Sequence, residues 1–121
     1  MPHCLLEASD NLLDQPDWRG VLGQVNRTLA ATGLFVEADI KSRLVRHDTF
    51  VVGDGDPRRA FVTLNVQILG GRTDDVKAQL TEALLPVLAG HFPRSFAEQT
   101  FSLTVQITDI HRPSYRRQIS Y

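Results

Sequence analysis

The stretch Ala60-Phe61-Val62-Thr63-Leu64-Asn65-Val66-Gln67-Ile68-Leu69 alternates without a break. Ala60, Val62, Leu64, Val66 and Ile68 fall on one face, with Phe61, Thr63, Asn65 and Gln67 on the other. A period of two marks a strand covered on one side. Gly70-Gly71-Arg72 ends it, and Thr73 is placed to cap a helix with its side-chain oxygen. Asp74 and Asp75 then set negative charge against the positive end of the helix dipole. Val76, Leu80, Leu84, Val87, Leu88 and Phe92 form the apolar side. Pro86 lies inside this helix and predicts a kink, at about 3 kcal/mol unless the carbonyl it frees meets water. A short turn after Pro93 leads to a second alternating strand, Phe101–Ile110, and the polar tail Arg112–Tyr121 reads as loose.

Upstream, the same plan occurs once more. Pro2–Ala8 is a short apolar run stopped by Ser9-Asp10-Asn11, as a buried strand and turn would be. Trp18, Val21, Leu22, Val25 and Leu29 share one helical face, with Asp14 or Asp17 available as a cap and Gly33 as a stop. An extended stretch is expected from about Glu37 to Val52, and Gly53-Asp54-Gly55-Asp56-Pro57 makes a turn. The order is β-α-β, turn, β-α-β: an α/β (α+β) chain with a four-stranded sheet and two helices on one face. Two βαβ units imply parallel pairs and right-handed crossovers. The same order also fits a ferredoxin-like antiparallel sheet, and periodicity leaves both open.

At 121 residues, against about 150 per domain, the chain has room for one domain. The expected organisation is a first unit over residues 1–53, a second over 58–110 and a tail over 111–121. A net charge of −1 argues against a dedicated nucleic-acid binder, and no run of about 18 apolar residues could span a membrane. The first ten residues lack the basic start of a signal peptide, which makes a cytoplasmic location the expectation. The outer faces of the second unit's strands carry Thr63, Asn65, Gln67, Ser102, Thr104, Gln106 and Thr108, polar but uncharged. A water-facing sheet normally collects Lys and Glu, so this face leans toward burial against another subunit.

Few residues offer chemistry. His3, His47, His91 and His111 are scattered without metal-ligand spacing, so no metal site is expected. Cys4, the only cysteine, lies in an apolar strand and reads as a small core residue. The string Arg59–Leu64 lacks the glycine and last aromatic of an RNA-binding strand. Pro2 remains. Removal of Met1 would free a secondary amine at the start of a buried strand, where burial and nearby cations lower its pKa toward neutrality.

Pro2-His3 with Glu7, Ser9, Asp10 and Asn11, then Val25-Asn26, Thr28–Gly33 and Phe35, resembles the 5-carboxymethyl-2-hydroxymuconate isomerase family. Asp48-Thr49, Ala60-Phe61, Gly71-Arg72 and His91-Phe92 fall at similar positions, and the likeness runs to about Ile110. The family belongs to the tautomerase superfamily of trimeric β-α-β repeats. The resemblance therefore implies two parallel pairs, a homotrimer and cofactor-independent isomerisation. The substrate would be an unsaturated di- or tricarboxylate of the 2-hydroxymuconate type, met in aromatic catabolism and converted to its 2-oxo tautomer. It makes Pro2 the proton shuttle and Arg72 one of two carboxylate-binding cations. The other falls on Lys41, a departure from the family's arginine that keeps the charge and loses the bidentate fork. Arg43, two residues on and on the same strand face, is an alternative. With Met1 retained, Pro2 would be an amide, and the competing reading is a non-catalytic trimeric domain that binds a ligand or a protein.

Overall fold

The alternating stretch is strand β3 (Arg59–Leu69), and Ala60, Val62, Leu64, Val66 and Ile68 are sealed from solvent. The structure, a computed structural model, describes residues 1–121. β3 pairs antiparallel with β1 (His3–Ser9), and these two form the centre of the sheet. β2 (Lys41–His47) lies parallel to β1 on one side, and β4 (Thr100–Ile110) parallel to β3 on the other. The strand order is β2-β1-β3-β4. Each unit thus builds its own parallel pair, joined by a helix because parallel strands need a crossover. One antiparallel seam connects the two units, and the alternative left open by periodicity is decided.

Helices α1 (Trp18–Ala31) and α2 (Asp74–Ala89) supply the apolar layer for one sheet face. Val21, Val25 and Leu29 point in from α1, and Leu80, Leu84 and Leu88 from α2, onto Cys4, Leu6, Leu64 and Val66. Val76 and Val87 are only half-buried at the margin of that face. Thr73 caps α2 as expected, its hydroxyl accepting the Val76 N–H at 3.3 Å. The helix continues through Pro86, which sits on its exposed side, so the Glu82 carbonyl that loses its helical partner is on that side too.

Several local expectations are corrected. The segment after Phe92 forms a third helix, α3 (Pro93–Glu98), where a turn was expected. Pro93 pre-sets its first residue, and Asp14 closes its start. One Asp14 carboxylate oxygen accepts from the Ser95 amide and hydroxyl, each at 2.7 Å, and the other from the Arg94 amide at 3.3 Å. Asp14 therefore caps α3 rather than α1, while Asp17, at the N-cap position of α1, makes no side-chain capping bond. Burial opposes the charge on Asp14, yet its bonds to Ser95 and Arg94 outweigh that and hold its pKa below the ordinary value. The stabilisation is complete above about pH 4 and fades as pH falls through the lowered value. Asp14→Ala is expected to cost about 1–2 kcal/mol in a urea melt at neutral pH, with Asp14→Asn losing less.

The extended stretch expected over residues 37–52 is shorter. Glu37–Asp39 forms a 3₁₀ turn, and β2 stops at His47 because β1, its sole partner, ends at Ser9. The tail, expected to be loose, is fastened to that 3₁₀ turn. The Tyr121 hydroxyl donates to Asp39 at 2.7 Å, and Arg117 lies 3.8 Å from the same carboxylate.

The other sheet face divides in two. Its β3–β4 half carries the expected Thr, Asn, Gln and Ser residues. The β1–β2 half is charged: His3 pairs in register with Lys41, Leu5 with Arg43, Glu7 with Val45 and Ser9 with His47. His47 Nε2 and a Glu7 carboxylate oxygen lie at hydrogen-bond distance, 2.9 Å. No helix is long and apolar enough to cross a membrane.

Candidate active site

Sheet topology gathers the site at one end. Because β1 runs against β3, the start of β1 meets the end of β3, with His3 opposite Gln67. Parallel pairing sets Lys41 beside His3 and Ile110 beside Leu69. The N-terminus, the first residue of β2 and the chain just beyond β3 and β4 therefore meet. A pocket of about 220 Å³ lies there, lined by Met1, Phe35, Asp39, Leu69, Arg72 and Arg112 among others.

Arg72 is held from two directions. One guanidinium nitrogen donates to the Leu34 carbonyl at 3.2 Å, and the group lies 5.0 Å from the centre of the Phe35 ring. Such a stacked guanidinium keeps donors free for an anion. Arg112 donates through Nε to the Gly70 carbonyl at 3.1 Å. Neither arginine has a carboxylate within 4 Å, whereas Arg58, Arg59, Arg94 and Arg117 each do.

Pro2 is buried at the base of β1, its carbonyl accepting the Lys41 amide at 3.1 Å. Its own nitrogen is in the peptide bond to Met1, whose amine donates to the Asp39 carbonyl at 3.1 Å. That amine's pKa is lowered, by burial first and then by Lys41 and Arg117, with Asp39 opposing. Lys41 does not line the pocket. It stands on the open sheet face beside the N-terminus, its ammonium 3.3 Å from the Asp39 carbonyl. Arg43 faces Leu5, farther along the strand. Pro2, Lys41 and Arg72 are thus gathered at one end of the sheet, with Arg43 more remote. His3 is pushed below its ordinary pKa, chiefly by burial and then by Arg43, the N-terminal amine and Lys41.

The remaining candidates have other work. His91 pairs with Gln24 at 2.7 Å and His111 with Ser114 at 2.8 Å, and no three His, Cys, Asp or Glu side chains are grouped to hold a metal. Burial pushes the Cys4 thiol up, as suits a core residue. A larger hollow of about 320 Å³ lies at the opposite end, beside Asp48, Phe50, Asp56 and Arg59. Its arginine is already engaged. Arg59 makes two bonds to Asp54, whose carboxyl is held at about 2, so the hollow offers an anion little.

A model of the 5-carboxymethyl-2-hydroxymuconate isomerase family matches residues 2–119. The chain belongs to that family. It is 35% identical over 111 residues to the 5-carboxymethyl-2-hydroxymuconate Delta-isomerase of Escherichia coli, covering 92% of this chain and 88% of that one. The crystal structure of a 5-carboxymethyl-2-hydroxymuconate isomerase from Deinococcus radiodurans R1 superposes with a TM-score of 0.90 at 31% identity, over 98% of this chain and 90% of the other. A fused 4-OT symmetric trimer shares the fold, with a TM-score of 0.69 at 18% identity over 89% of this chain and 85% of that one. The fold is that of the tautomerases, and family membership supports an isomerase function. Sequence reasoning about the site overlooked Phe35 as the ring under Arg72, and Arg112 altogether.

Proposed function

We propose that the chain, once Met1 is removed, is a cofactor-independent isomerase of 2-hydroxymuconate-type dienols such as 5-carboxymethyl-2-hydroxymuconate. The Pro2 amine takes the proton of the 2-hydroxyl; C2 becomes a carbonyl, the double bonds shift, and the same proton is delivered to the far end of the diene. One O–H bond breaks and one C–H bond forms, so the product is the conjugated 2-oxo tautomer with no net gain or loss. Arg72 and Lys41 orient the carboxylates and stabilise charge developing on the dienolate. The reaction belongs in aromatic catabolism in the cytoplasm.

The observation that carries this reading is the meeting of the N-terminus and a carboxylate-free Arg72 in one pocket of a chain belonging to this isomerase family. Cations that already lower the Met1 amine would act alike on a Pro2 amine one residue on. The test is a ketonisation assay of the Met1-free protein, its intact mass verified, on 2-hydroxymuconate with and without the 5-carboxymethyl group. Turnover supports the reading; a folded, Met1-free protein inert on both dienols contradicts it. The competing reading is a non-catalytic trimeric domain that binds a ligand or a protein. Native protein that keeps Met1 would favour it.

We further infer a homotrimer whose subunits cover the uncharged sheet face. Thr63, Asn65 and Gln67 are half-buried in the single chain, while Ser102, Thr104 and Gln106 stay exposed. Equilibrium sedimentation at micromolar concentration is expected to return a mass near three chains of 13.5 kDa. A monomer would remove the reason for this face's composition.

A further inference from the structure

We propose that Arg112 is a specificity-determining residue: it reads the third carboxylate of a 5-carboxymethyl-substituted dienol and sets the preference for it over a dicarboxylate. This rests on the isomerase reading for its substrate, but on its own geometry for the site. β3 and β4 run parallel and end level, Leu69 beside Ile110, so residues a short step beyond each strand come together. Arg72 leaves from β3 and Arg112 from β4, and both line the same pocket.

Both guanidiniums are oriented by carbonyls rather than carboxylates. The Gly70 carbonyl takes only Arg112 Nε, which leaves the two terminal nitrogens, with their paired N–H donors, for a ligand. Gly71 lies alongside with φ +123, a conformation that favours glycine, and the position of a Cβ there would be 4.0 Å from an Arg112 terminal nitrogen. The acidic residue of the pocket wall is unavailable to Arg112, since Asp39 is bound by Tyr121 and Arg117. Arg112 therefore points an uncompensated charge at the pocket. With Arg72 and Lys41 it makes three cations around one end of the sheet. A 2-hydroxymuconate presents two carboxylates, and a carboxymethyl substituent adds the third. A charge-assisted bond of this kind corresponds to an affinity change of about 10- to 100-fold.

The test uses the otherwise intact Met1-free protein, its mass verified, and two unreactive probes, tricarballylate with three carboxylates and glutarate with two, measured by calorimetry. The wild-type protein is expected to bind tricarballylate at least about 10-fold more tightly. Arg112→Gln, which removes the charge, is expected to erase that preference while glutarate affinity stays within about twofold, and Arg112→Lys to restore part of it. An unchanged melting temperature of Arg112→Gln would separate charge loss from loosening of the tail. Equal affinity of the wild type for both probes, or an equal loss on both in Arg112→Gln, would overturn the proposal. Wild type that prefers tricarballylate yet turns over no dienol would refute the isomerase reading while still supporting Arg112 as a carboxylate reader.

Discussion

Protein that retains Met1, or carries a tag ahead of Pro2, is expected to lose at least about 10² to 10⁴ of its ketonisation rate, the usual contribution of a general base. Acylation makes the proline nitrogen an amide, whose lone pair is delocalised into the carbonyl and binds no proton near neutral pH. The pocket itself would survive. Met1 adds a residue at its wall, but the core strands and helices α1 and α2 do not depend on it. Circular dichroism and sedimentation of the blocked protein are therefore expected to match those of the processed one. Pro2→Ala keeps an amine at the same place, although a primary and more mobile one, and is expected to retain partial activity. A blocked protein as fast as the processed one would mean that Pro2 is only the first turn of chain before a strand.

Arg72→Ala is expected to lower kcat/KM on a dicarboxylate dienol by about 2–4 kcal/mol, mostly through KM. The guanidinium is fixed by the Leu34 carbonyl and the Phe35 ring before any substrate arrives, so little ordering is left to accompany binding. Removing it leaves a substrate carboxylate in the pocket without its partner. Arg72→Lys is expected to recover only part of the loss, because an ammonium lacks both the fork and the flat face that stacks on Phe35. A monocarboxylate analogue should be much less affected. Equal losses on both substrates would mean that Arg72 supports the Leu34–Phe35 loop instead of reading a carboxylate.

The core strands were legible in two ways: Ala60 to Ile68 alternates apolar positions with mostly polar neighbours, and Pro2 to Ala8 is a short apolar run closed by a turn signal. Parallel pairing within each unit was not legible from that alternation, which is the same whichever way a partner runs. The resemblance supplied it. Helix α3 was hidden because its cap, Asp14, lies 81 positions from Ser95, and local patterns cannot show so distant a partner. The fastened tail was hidden for a similar reason, since Tyr121 and Asp39 are 82 positions apart. Pro2 was singled out by its place at the start of a buried strand, Arg72 through the family pattern, and Lys41 through its departure from that pattern. Arg112 carried one available signal. Once β3 and β4 are taken as equal and parallel, a cation just past each end must share a corner with the other.

Titration of the Pro2 nitrogen tests most directly whether it carries the proton. Proton loss from the Pro2 amine can be followed by ¹⁵N NMR in processed protein labelled with ¹⁵N-proline, beside the pH dependence of kcat/KM. Burial and the Lys41 charge, which lower the Met1 amine, should bring the Pro2 amine below the ordinary α-amine value of about 8. The neutral amine is the base, so kcat/KM is expected to rise with pH along a limb whose midpoint coincides with the ¹⁵N titration. A proline that titrates at or above the ordinary value, or a rate limb displaced from it, would contradict the mechanism.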